Sequence, residues 1–148
     1  MFRSVVVPVL CLSVVGCMES SNGNESGSVP YVVASSGLQV GIESQQTRVF
    51  RNSSEYSALM SGIQLGGEKP NPDFGQKLVV AVFSTLNSCY SLSVDSVVET
   101  EISIEVRVAV SRLADACLPV IGQNYVFVES ARSSKEVSVI YRKADNGL

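Results

Sequence analysis

The stretch Ile102-Ser103-Ile104-Glu105-Val106-Arg107-Val108-Ala109-Val110 decides the fold class, because every second residue is apolar over nine positions. Side chains on a strand point to opposite faces in turn. The pattern therefore predicts a strand with one face in a core and the other towards water. Upstream, Tyr90-Ser91-Leu92-Ser93-Val94 alternates in the same way, and Glu99-Thr100-Glu101 predicts a turn that joins the two as a hairpin. Further back, Lys77-Leu78-Val79-Val80-Ala81-Val82-Phe83 is apolar almost throughout, the pattern of a central strand covered on both faces.

Leu38-Gln39-Val40-Gly41-Ile42 and Thr47-Arg48-Val49-Phe50 predict two earlier strands. Tyr125-Val126-Phe127-Val128 and Val137-Ser138-Val139-Ile140-Tyr141 predict two later ones, separated by a polar loop. One helix is expected, over residues 53–62. Asn52 offers an N-cap, with Glu55 three residues on. Tyr56, Leu59, Met60 and Ile63 then fall on one helical face, which reads as a core stripe, and Gly62 and Gly66-Gly67 end the element. Some seven strands with hairpin-length connections, and one short helix near the start of the domain, define a mainly β chain. The expected architecture is an antiparallel β-sandwich or a partly open barrel.

The chain has 148 residues, enough for one domain, and its 45% apolar content supports a real core. A net charge of −3 without a basic stripe argues against nucleic acid as a partner. At the N-terminus, Arg3 precedes an apolar run from Ser4 to Val15, too short to span a bilayer but the length of a signal-peptide core. It ends in Leu12-Ser13-Val14-Val15-Gly16-Cys17, which resembles the lipobox of bacterial lipoproteins. That resemblance implies cleavage after Gly16, lipid on Cys17 and an envelope location. Without Asp after the cysteine, it implies the outer membrane, facing the periplasm. Two or three acyl chains hold a protein on a bilayer stably where one does not. The expected organisation is a signal peptide over 1–16, a Ser-, Asn- and Gly-rich tether over 17–30, one β-rich domain over 31–143 and a tail over 144–148.

Once Cys11 leaves and Cys17 is acylated, Cys89 and Cys117 remain, an even pair in an oxidising compartment, and they are expected to form a structural disulfide. No metal site or other cofactor is expected, because ligands with the right spacing are missing. The chain contains no histidine, which excludes Ser-His-Asp and Cys-His sites within it. Lys69, Lys77, Lys135 and Lys143 read as solvated rather than as partners of a serine nucleophile, and Glu105 and Arg107 read as a solvated strand face. An enzyme is therefore not expected. The long segment Ser111–Asn124, SRLADACLPVIGQN, carries Leu118, Pro119, Val120 and Ile121 beside Cys117. The preferred reading folds these residues back over an open end of the sheet. The alternative is a binding loop held by the disulfide.

From Gly37 to Tyr141 the order of elements resembles the PrcB C-terminal domain family, named after a lipoprotein subunit of a protease complex. The residues that carry the resemblance are SSEYSALMSGI, then PNPDFGQKLVVAVF with its Asp73-Phe74, then Tyr90–Val94, IEVRVAV and Tyr125–Val128. It implies a non-catalytic accessory role, stabilising or positioning an envelope partner protein. A second functional expectation is a protease inhibitor acting through the Ser111–Asn124 loop.

Overall fold

A computed structural model describes residues 27–120 and 122–143. The expected signal peptide, Cys17, Ile121 and the expected 144–148 tail lie outside the described residues. The elements run β1 (Gly27–Ser28), β2 (Tyr31–Val40), β3 (Gln46–Phe50), α1 (Ser53–Gly62), β4 (Gln64–Leu65), β5 (Lys77–Phe83), β6 (Tyr90–Glu99), β7 (Ser103–Arg112), β8 (Gln123–Ala131) and β9 (Glu136–Lys143). They form two sheets, one of order β1-β6-β7-β9 and one of order β3-β5-β8-β2-β4. The sheets pack face to face as a β-sandwich, not a closed barrel. Seven of the strands are the expected ones, six of them longer than expected and β5 with the expected bounds, and β1 and β4 are two-residue additions. Gly27 and Ser28, expected in the tether, pair with Glu99 and Val98.

The alternating stretch is β7. Ile104, Val106 and Val108 are buried between the sheets, while Glu105 and Arg107 lie on the outer face. Ile102 departs from the pattern: it belongs to the turn and is exposed, because β7 begins only at Ser103. β6 and β7 form the expected hairpin, with Glu99 opposite Ile104 and Tyr90 opposite Arg112. β9 instead pairs with β7 in parallel, from Ser103 opposite Glu136 to Val110 opposite Lys143. The reason is topological. The chain crosses to the other sheet to make β8 and returns, so β9 runs in the direction of β7.

β5 and β8 sit centrally in the five-stranded sheet and feed two cores. Leu78, Val80, Val82, Val126 and Val128 face the four-stranded sheet. Val79, Ala81, Phe83, Tyr125 and Phe127 face α1. This is why both strands are apolar without alternation. The helix closes that second core with Tyr56, Leu59 and Met60, followed by Ile63. Phe50 packs edge-on to Tyr56 at 5.5 Å and Phe83 edge-on to Phe127 at 5.8 Å, the arrangement that aromatic quadrupoles favour.

Asn52 caps α1, its Oδ1 accepting from the Glu55 N–H at 2.9 Å. The helix ends at Gly62, where Ile63 turns extended. Gly66-Gly67 lies beyond β4 and serves a different purpose from the expected helix stop. A Cβ on Gly67 would stand 3.1 Å from the Tyr125 hydroxyl and 3.3 Å from Ser35 Oγ, so the bare backbone allows the hydrogen bond between those two groups. Gly41 is likewise required: its φ is +123°, and a Cβ there would lie 2.8 Å from the Gly62 carbonyl oxygen.

Candidate binding loop at the disulfide end

Two connections cross between the sheets at one end of the sandwich. The first joins β5 to β6 through Ser84–Cys89, and the second joins β7 to β8 through residues 113–122. Cys89 and Cys117 are bonded to each other, with their Cα atoms 5.6 Å apart, as expected.

Hydrogen bonds continue the tie. The Leu113 N–H donates to the Cys89 carbonyl at 2.9 Å, and the Val120 N–H donates to Ser88 Oγ at 2.8 Å. Buried Asn124 holds the base of the second connection. Its backbone N–H donates to Leu86 O at 2.8 Å, and its side-chain amide donates to Leu86 O and Asn87 O. The Asn87 Oδ1 in turn accepts from the Cys89 N–H at 2.9 Å. Asparagine and serine thus satisfy backbone groups that a loop would otherwise leave unpaired.

Held in this way, Leu118, Pro119 and Val120 do not fold back over the sheet, which corrects the preferred sequence reading for these residues. Leu118 is 91% exposed, Leu113 62% and Val120 59%, and Pro119 is exposed as well. The physical reason is that the loop is tied to the other connection on both sides of Leu118, through Cys117 to Cys89 and through the Val120 N–H to Ser88 Oγ. Val40, at the end of β2, is exposed at the same end, beside Gly122 across the Gln39–Gln123 register. Sequence reasoning placed Val40 inside a strand and did not single out Leu113. A strand end that runs past its partner leaves no mark in periodicity.

The remaining candidates disperse. Lys77 pairs with Glu129 at 2.6 Å and Lys135 with Glu99 at 2.9 Å, while Lys69 donates to Met60 O at 3.0 Å, so these lysines are held and not simply solvated. Glu105 and Arg107 pair with each other at 3.2 Å on a half-buried outer face. A groove of about 690 Å³ between α1 and β3 is lined by Phe50, Leu59 and Ile63, with Arg48 and Glu55 as its charged groups. Burial of Tyr56, with Glu129 and Tyr125 nearby, pushes its phenol up to about 12, and its hydroxyl donates to Pro70 O at 2.8 Å. That environment keeps the phenol protonated as a structural donor. Among the described residues, no group of three or more His, Cys, Asp or Glu side chains gathers to hold a metal ion, and no helix is long and apolar enough to cross a membrane.

None of the family models, curated proteins or solved structures compared with the chain matches it.

Proposed function

We propose that this chain is a lipid-anchored, non-catalytic accessory protein of the bacterial envelope that presents its disulfide-held loop to a partner protein. The observation that carries the reading is the placement of the two ends. The described chain starts at Gly27 opposite Glu99, at the turn end of the β6–β7 hairpin. Cys89, Cys117 and Leu118 lie at the other end of that hairpin, beyond the Tyr90–Arg112 pair. Ten-residue strands separate the two ends by about 30 Å. A chain held through Cys17 thus enters the sandwich at the end opposite its exposed apolar loop. Exposed apolar side chains on a rigid support are the usual anchors of protein–protein recognition. The PrcB-like order of elements supports the same accessory role and suggests a protease complex as the kind of assembly served.

The alternative is protease inhibition through the Ser111–Asn124 segment. One observation favours it: Leu118 stands exposed directly after a disulfide-bonded cysteine, as a protease-reading residue needs to stand. Cross-linked recovery from the native envelope, paired with inhibition assays on several serine proteases, separates the readings. One stoichiometric partner without inhibition supports the accessory role. Tight inhibition that is lost on cutting near Leu118 overturns it.

A further inference from the structure

The turn between β6 and β7 carries an apolar residue at its tip. Ile102 is 81% exposed, and turns of this kind usually place glycine, asparagine or aspartate there. The turn is tightly bonded. The Thr100 N–H donates to Ser103 O at 2.8 Å, the Ser103 N–H donates to Thr100 Oγ1 at 3.0 Å, and the Thr100 and Ser103 hydroxyls meet at 2.9 Å. Ile102 is thus held outwards on a fixed support.

One of the carboxylates around it is paired. Lys135 Nζ reaches Thr100 O at 2.6 Å and Glu99 Oε1 at 2.9 Å, which neutralises the carboxylate on the strand side of the turn. Glu101, and Glu136 opposite Ser103, are exposed carboxylates beside the turn. The described chain begins at Gly27, paired with Glu99, three positions from Ile102. Only ten positions separate Gly27 from Cys17, a span of at most about 35 Å when fully extended.

We propose that the Thr100–Ser103 turn is a membrane foot, with Ile102 seated in the lipid interface beside the point where the chain leaves for its anchor. This inference rests on the lipid-anchored reading above. An apolar side chain at the headgroup boundary buries its surface at a depth of about 5–10 Å. The foot keeps the sandwich upright on the bilayer, with Leu118 outermost.

The test uses the full chain recovered from its native membrane and placed in phosphatidylcholine vesicles. With Cys17 acylated and Cys89 bonded to Cys117, Ile102→Cys supplies a unique thiol for an environment-sensitive fluorophore. Leu118→Cys supplies the control. Both positions are exposed, so neither substitution disturbs the core. The expected result is a blue-shifted label at 102, quenched by lipids with a spin label near the headgroup, and an unshifted, unquenched label at 118. A label at 102 that stays unquenched on acylated, vesicle-held protein overturns the foot alone, as does equal quenching at both positions. Mass measurement that finds no acyl chain on Cys17 overturns the anchoring reading and the foot with it.

Discussion

Cys89 and Cys117 join the two connections that cross between the sheets at the end of the sandwich where Leu118 is exposed. The bond therefore links β5 and β6 to β7 and β8 at a place also tied by hydrogen bonds from Ser84, Leu113, Val120 and Asn124. It closes a segment with a sequence separation of 28. By the chain-entropy argument this constraint on the unfolded chain is worth about 3–4 kcal/mol. The double substitution Cys89→Ala with Cys117→Ala is expected to lower the unfolding free energy by about that amount in urea titrations. Limited proteolysis should also cut near Leu118 in the variant before the sandwich opens. Equal midpoints and equal cutting rates would show that the bond constrains nothing.

Cys17→Ala is expected to release the protein from the membrane fraction and to abolish labelling by a radioactive fatty acid. A second lipid chain separates marginal from stable attachment, so the loss should be nearly complete. Unchanged membrane association in this variant contradicts the lipid anchor.

Phe127 is fully buried on the α1 side of β8, against Tyr56, Phe83 and Tyr125. Phe127→Ala removes the ring shared by the helix and the sheet, and about 3–5 kcal/mol of stability with it. Near-ultraviolet circular dichroism should lose the aromatic signal of that cluster before the far-ultraviolet β signal is lost. A variant as stable as the parent would mean that α1 does not depend on this core.

Tyr56 gives a signed pH dependence. Its phenol is pushed up to about 12, first by burial and then by Glu129 and Tyr125, against an ordinary value of 10.0. Between those values the folded chain holds a proton that the unfolded chain has released. The contribution is fully present below pH 10 and is lost as pH rises towards 12. Tyr56→Phe loses the hydrogen bond to Pro70 O, about 1 kcal/mol at neutral pH. Across the alkaline range its stability should then fall less steeply than the parent's. Urea midpoints collected every half pH unit decide the matter, and parallel curves for the two proteins would sink the assignment.

Where a strand keeps strict alternation, as over Ile104–Val110, the fold is legible from sequence because one face alone meets the core. The legibility fails at two bulges. β6 pairs Val94 with Val108 and then Ser96 with Arg107, leaving Asp95 as an extra residue. The apolar positions Val94 and Val97 are thus three apart, and the strand seems to end early when read by a period of two. In β2 the register shifts between Val33 and Ser35, which hides the strand's first half and makes Leu38 look like its start. The parallel pairing of β9 was not legible, since nothing local to Val137–Tyr141 records which neighbour it meets.

The helix is legible because its cap, its face and its terminal glycine are all local signals. The candidate site was half legible. Cys89, Cys117 and the apolar run after Cys117 stand out in sequence. Whether Leu118 is buried or exposed depends on ties to a distant part of the chain, the Cys89–Cys117 bond and the Val120–Ser88 hydrogen bond, which no local pattern records.

The most direct test of the account places a photo-activatable cross-linker at position 118 in living cells, with position 140 on the outer face of β9 as the control. The account predicts one discrete adduct of defined mass from position 118, formed in proportion to the protein's abundance. The adduct should be absent from position 140 and lost when Cys89 and Cys117 are both replaced by alanine. No adduct from position 118, or the same set of adducts from both positions, contradicts the claim that the disulfide-held loop is where this protein meets its partner.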